Sequence, residues 1–304
     1  GISSVLIMRK LSPAGEVSRE AAVRMIRRGG FVWGLGMLFR VQEYLIAFPW
    51  APWTDLLRVD VLNCIGLSLA LVGVLAFVTR GAGRMALCSG LVAAAVSMLT
   101  PLVWVHRPAW LPWFLESYLN GVHTAGKPLP WLFPLFPWAA FTFAGVTAGF
   151  LLLSGAAKQN PRAAIPLAAC AGLAVSGLGY ALDHLPFQLY PVYDFWHTSP
   201  NFFLIRLGIL LMIVAVSQAR FLLPSILGKG RFLLLLGQHS LLVYWVHIEF
   251  VYGRFHILPR RGVGIPGASA GLLAITLAML ALAFLRSRWE TRRKSPLKAA
   301  MSPA

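Results

Sequence analysis

Residues 232–253, FLLLLGQHSLLVYWVHIEFVYG, form an apolar run long enough to cross the hydrocarbon core of a bilayer as one helix. They nevertheless carry Gln238, His239, Ser240, Tyr244, His247 and Glu249. A charged group exposed to hydrocarbon costs about 2.5 to 3.5 kcal/mol on insertion scales, so such groups face a bundle interior or a wet cavity. At about 100° per residue Ser240, Tyr244 and His247 share one face, and Glu249 lies roughly opposite His247. The pattern predicts a helix ringed by other helices.

The rest of the chain repeats the theme. Only 12% of its 304 residues are charged and 58% are hydrophobic, with a mean hydropathy of +0.71. A soluble domain carries about 25% charged residues. The sequence therefore reads as an all-α, polytopic transmembrane helical bundle. Complete spans are predicted at 31–48, 59–78, 85–105, 131–153, 163–182, 201–218, 232–253 and 267–285, about eight in all. They make one domain over 1–286, followed by a basic, disordered cytoplasmic tail over 287–304. The opening GISSVLIM runs straight into Arg9 and Lys10 and reads as the end of an earlier span, so an N-terminal truncation is expected.

A net charge of +17 would suggest nucleic acid in a soluble protein. Here the Lys and Arg residues gather in short segments between apolar runs, where they set topology and meet anionic head groups, and nucleic acid is excluded. Segments assigned to the inner side hold roughly three positive residues for each one outside. Segment 9–28 reads as an inner connector with a short amphipathic helix. Segment 106–130 reads as an outer loop with an interfacial helix near LPWFLESYL. Cys64, Cys88 and Cys170 sit in apolar runs without metal-type spacing and read as packing residues, so no metal is expected.

Several polar groups fall inside or beside the predicted spans. Arg40 and Glu43 are placed to pair at i, i+3, either to lock helix packing or to line a polar route, and Gly29, Gly30, Gly34 and Gly36 allow a neighbour close. Asp60 and Asn63 share a face where a span starts, so Asp60 serves either as a helix cap or as a site residue. Arg206 at membrane depth needs an acidic partner, an anionic ligand or a path to the interface. The loop 183–200 holds Asp194, Trp196, His197 and Ser199 among aromatics, a mixture that suits a sugar and equally an interfacial belt. On the predicted topology Asp60, Asn63, Arg206, His247 and Glu249 reach one depth, with Gln238 and His239 nearer the inner face. Such a route suits a transporter, or an enzyme whose two substrates arrive from opposite sides.

The stretches RVDVLNCIG, LFPWAAFTFAG, DFWHTSPNFFLIRLGI and LGQHSLLVYWVHIEFVYG together resemble the bacterial branch of the heparan-α-glucosaminide N-acetyltransferase catalytic-domain family, relatives of the broader transmembrane acyltransferases. The resemblance runs from GISSVLIM to the last span. It implies an inner-membrane enzyme that takes an acyl group, acetyl first, from cytoplasmic acyl-CoA and passes it to a sugar or glycan outside. In the family a preceding helix carries an Asp-x-x-Arg-Gly motif and a downstream His. The family commonly has Arg where Gln238 stands and Thr or Asn where His239 stands. The candidates are then His247, Glu249 and Asp60 for catalysis. Asn63, Arg206, Asp194, Trp196, Trp138 and Tyr244 are the candidates for the acceptor, and Arg40, Gln238 and His239 for acetyl-CoA. His247 reads equally well as an imidazole satisfied in helix packing. A transporter or flippase for a small polar or lipid-linked solute, or an inactive scaffolding relative, are the other readings.

Overall fold

A computed structural model describes residues 1–12, 16–106, 108, 110–121, 133–190, 194–219, 231–251 and 264–300. The chain divides into two compact units, Gly1–Leu222 and Leu223–Ala304. In the first, α1 (Ile2–Leu11), α2 (Arg19–Ala47), a 3-10 turn (Trp53–Leu57), α3 (Val61–Thr79) and α4 (Ala82–Val105) are followed by α5 (Trp113–Asn120), α6 (Leu135–Leu152), the short α7 (Gly155–Gln159), α8 (Pro161–Asp183) and α9 (Pro200–Ala219). In the second, α10 (Arg231–Gln238) and α11 (Ser240–Val251) both pack on α12 (Ile265–Ala300).

Among the described residues six helices are long and apolar enough to cross a membrane, or seven if one bent pair counts as a single span. The share of these spans buried by protein ranges from 44% over Trp53–Thr79 to 11% over Ile265–Thr291, which leaves much apolar surface uncovered, as lipid-facing helices require. The count is lower than eight for two reasons. The predicted span at 31–48 lies within α2, which Arg40, Gln42 and Glu43 leave outside those six. The run at 232–253 is the bent pair, with its halves at 89° to each other. Gly237 and Ser240 flank Gln238 and His239 at the break; glycine and serine are what loosens a helix at a sharp kink, and the polar pair has little to gain from staying straight in lipid.

Two other boundaries move. Ser18 accepts the backbone N–H of Ala21 at 3.1 Å and Glu20 stands in the first turn, so the second half of the predicted connector is the start of α2. At the far end α12 continues to Ala300 through the basic stretch that reads as disordered. Cys64 is buried as expected, whereas Cys170 is exposed.

Close approach organises the first unit. α2 and α3 run antiparallel, and a Cβ placed on Gly66 would lie 2.5 Å from Trp33 N, on Gly29 2.5 Å from Gly66 O, and on Gly73 2.8 Å from Ala22 O. Gly30 and Gly34 have nothing within 4 Å of such a Cβ, so only Gly29 and Gly36 of the four candidate glycines serve this contact. Gly172 and Gly208 bring α8 and α9 together in the same way. Gly149 receives Val5 of α1, and the Arg9 guanidinium bonds the carbonyls of Leu153 and Phe150 at the end of α6. Gly66→Ala is expected to cost about 1 to 3 kcal/mol through overpacking, whereas Gly34→Ala is neutral. Thermal unfolding of both variants in detergent checks this, and equal midpoints would refute the contact.

Candidate functional site

The site begins at the first turn of α3. Asp60 is its N-cap: Oδ1 accepts the N–H of Val61 at 2.6 Å, and Asn63 Oδ1 accepts the N–H of Asp60 at 3.2 Å, completing a capping box. The second oxygen, Oδ2, pairs with Arg40 of α2 at 3.0 Å, both side chains being 13% exposed. Arg40 thus crosses to Asp60 rather than pairing with Glu43 along its own helix. One carboxylate both caps the helix and forms the ion pair, so of the two readings of Asp60 the capping one is seen directly. Arg58, Asp55 and Glu43 complete a group of charges that act on one another here. Asn63 is fully buried, its Nδ2 donating to Trp33 O at 3.2 Å, and Gly36 leaves room for it: a Cβ there would meet Nδ2 at 2.7 Å.

The other side of the same turn faces a cavity of about 460 Å³. Val61, Cys64 and Ile65 of α3, Trp138 and Phe141 of α6, and Arg206 and Ile209 of α9 are in its wall. Arg206 is its charged group, among otherwise apolar or hydroxyl lining. The guanidinium lies 3.8 Å from the Phe202 ring centre and 5.4 Å from that of Trp138. No acidic side chain pairs with it among the described residues. Of the three needs that Arg206 has at this depth, an anionic or carbonyl-bearing ligand is the one that the cavity suits. An open apolar pocket with one cation in its wall matches in chemistry a molecule with a hydrocarbon body and a single electron-rich oxygen.

Three further candidates lie near the start of α9 and on α6. Asp194 and Trp196 occupy the turn before α9, where Asp194 contacts His197 at 2.7 Å, and Trp196 is 64% exposed. Ser199 caps α9 by accepting from Asn201 N at 3.1 Å. Trp138 packs against Phe133 and Phe141 beside Arg206.

The remaining candidates belong to the second unit. His247 Nδ1 donates to Val243 O at 3.0 Å, and the Tyr244 ring meets it edge-on at 5.6 Å. Glu249 is buried at 7% exposure. Gln238 is exposed and His239 stands at the break between α10 and α11. The five groups that the predicted topology brings to one depth therefore divide between units: Asp60, Asn63 and Arg206 in the first, His247 and Glu249 in the second.

Sequence reasoning passed over the polar side of α5. Glu116, Ser117 and Asn120 are buried, with Asn120 Nδ2 3.2 Å from Glu116 Oε1. The i, i+4 spacing of Glu and Asn was the available signal. Tyr118, on another face, accepts the Trp33 indole N–H at 2.9 Å, and burial pushes its phenol up.

Residues 1–179 match the family described as heparan-alpha-glucosaminide N-acetyltransferase, catalytic. The chain belongs to this N-acetyltransferase family. The match runs from α1 into α8 and takes in RVDVLNCIG and LFPWAAFTFAG, and with them Arg40, Asp60, Asn63 and Trp138. Asp194, Arg206 and the whole 232–253 stretch lie beyond the matched residues, a shorter reach than the four motifs suggest. No curated protein and no solved structure matches the chain.

Asp60→Asn keeps a capping oxygen but removes the charge that meets Arg40, and Asp60→Ala removes both. Removing one partner of a fully buried pair costs about 3 to 5 kcal/mol, which is an upper bound for this part-buried one, and losing the cap adds about 1 kcal/mol. Unfolding in detergent is expected to rank wild type above Asp60→Asn above Asp60→Ala; two variants of equal stability would show that the cap contributes nothing.

Proposed function

We propose that this protein is a membrane acyltransferase that takes an acetyl or other short acyl group from acyl-CoA on the cytoplasmic side and transfers it to a sugar or glycan on the far side of a bacterial inner membrane. Membership of the N-acetyltransferase family carries the reading. The cavity beside α3 supports it, because transfer develops negative charge on the acyl oxygen and Arg206 is a cation held in apolar surroundings without an acidic partner among the described residues. Asp60 and Arg40, spent on each other, position the wall of that cavity, with Asn63 locking the turn. Trp138 holds the guanidinium from one side. In the second unit His247 and Glu249 are the proposed proton carriers with Tyr244 beside them. Gln238 and His239 are the proposed donor contacts, since a broken helix frees backbone groups that a ligand can bond.

One observation favours a second reading. A largely apolar cleft of about 750 Å³ lies among α4, α6, α8 and α9, with Met98, Ala148, Leu151, Ala168, Phe203 and Leu207 in its walls. Its size and lining suit a hydrocarbon tail, as a flippase for a lipid-linked solute would need. Solute movement in vesicles free of acyl-CoA would decide for it.

The decisive assay supplies labelled acetyl-CoA to the membrane-embedded chain with sugar acceptors and follows label into the sugar. Arg206→Ala is expected to lower turnover about 100-fold, the scale of losing one charge-stabilising donor. His247→Ala and Glu249→Ala are each expected to reduce it as well, and transfer unchanged in both would remove them from the mechanism. Failure of the wild-type chain to label any sugar would sink the transferase reading.

A further inference from the structure

The turn that leads into α9 holds an oriented imidazole outside the matched residues. Asp194 Oδ1 accepts the backbone N–H groups of Trp196 at 3.1 Å and His197 at 3.2 Å, which fixes the plane of the carboxylate. Oδ2 lies 2.7 Å from His197 Nδ1. The Asp194 carbonyl accepts the N–H groups of Thr198 and Ser199 at 3.0 Å, so the turn is held by its own backbone. A carboxylate only accepts hydrogen bonds, so Nδ1 carries a proton, and in the neutral form of the ring it is Nε2 that holds the lone pair. Nε2 has no hydrogen-bond partner among the described residues, and the His197 side chain is 38% exposed. The backbone contacts already shape the turn; the contact from Oδ2 adds a fixed orientation of the imidazole.

The residue that precedes His197 in the same turn narrows its use. The indole of Trp196 is exposed and braced edge-on by Phe195 at 5.3 Å and Phe202 at 4.9 Å. A rigid exposed indole stacks on the C–H face of a pyranose, and a neighbouring acceptor nitrogen then meets a ring hydroxyl or amine. Phe202 also carries the Arg206 guanidinium over its other contacts, at 3.8 Å, so one aromatic side chain joins this turn to the cavity wall.

We propose that Trp196, His197 and Asp194 form the subsite for the sugar acceptor, an amino sugar or similar pyranose, with His197 Nε2, rather than His247 or Glu249, as the base that receives the acceptor's proton. The proposal rests on the acyl-transfer reading above. In the step, the acceptor oxygen or nitrogen forms a bond to the acyl carbon while its proton passes to Nε2. The bond from acyl carbon to the CoA sulfur breaks with its electron pair on sulfur, and the proton then leaves the imidazolium to complete the thiol. Acylated sugar and free CoA are the products. Asp194 is the positioning residue that keeps Nδ1 protonated, and Trp196 supplies binding.

The test uses the membrane-embedded chain with labelled acetyl-CoA and glucosamine. His197→Ala is expected to lower kcat about 100-fold, the usual scale for losing a general base, with part of the loss restored by added imidazole. Asp194→Asn keeps an oxygen for the turn but cannot accept from Nδ1 on its amide side; it is expected to lower kcat about tenfold with KM for glucosamine unchanged. Trp196→Ala is expected to raise that KM about fivefold and leave kcat within about twofold. Unfolding midpoints of the three variants near that of wild type separate these effects from misfolding, and imidazole rescue identifies a folded His197→Ala even where its midpoint drops. A wild-type chain that transfers acetyl to glucosamine while His197→Ala keeps within about threefold of it overturns the proposal and leaves the transferase reading standing. A wild-type chain that transfers nothing overturns the reading on which the proposal depends.

Discussion

A charge placed among lipid-facing helices is tolerated only if something opposite meets it, and the contact of Arg40 with Asp60 at 3.0 Å meets that demand in the first unit. The pair forms only because α2 and α3 lie close enough for side chains of ordinary length to reach. Gly29, Gly36, Gly66 and Gly73 set that closeness, since each stands where a Cβ would collide with the facing helix. Asp60 is also the N-cap of α3, so the start of a membrane helix and the neutralisation of a part-buried arginine depend on one carboxylate. Losing it leaves a charge and several N–H groups without partners at the same place.

Arg206 solves the same problem differently. Its charge is spread against the faces of Phe202 and Trp138 instead of being cancelled, which leaves it able to act on a ligand in the cavity that it shares with the first turn of α3. α9 separates this chamber from the larger apolar cleft, with Arg206 and Ile209 turned to one and Phe203 and Leu207 to the other. The N-terminus of α9 carries the turn of Asp194 and His197, so the proposed acceptor turn and the cation of the cavity wall stand on a single helix and its cap.

Much of this could be read from residue order. Apolar runs near helical spanning length located the helices of α3, α4, α6, α8 and α9 to within a few residues, because lipid exposure forces the run and the span to coincide. The short helix α5, expected near LPWFLESYL, was visible from the tryptophans and prolines around it. Less legible was whatever depends on partners far apart in sequence: Arg40 has Glu43 three residues away yet reaches Asp60, and Glu116 with Asn120 turns inward from a segment that looks like surface. The bend at His239 also escaped, because hydropathy averages over a window and registers neither a glycine nor the direction of a helix axis.

The sequence by itself determined that the chain is helical, that it lies in a membrane, and to which acetyltransferase family it belongs, since each follows from local composition or from residue order. Tertiary structure alone decided which polar residues cooperate. It joined Arg40 to Asp60, put Arg206 on the wall of the chamber that the first turn of α3 borders, and aimed His197 by means of Asp194. The reason is physical: hydrophobic burial in lipid sets where a helix runs at little cost in precision, while charge pairing and hydrogen bonding act over about 3 Å and depend on how helices meet.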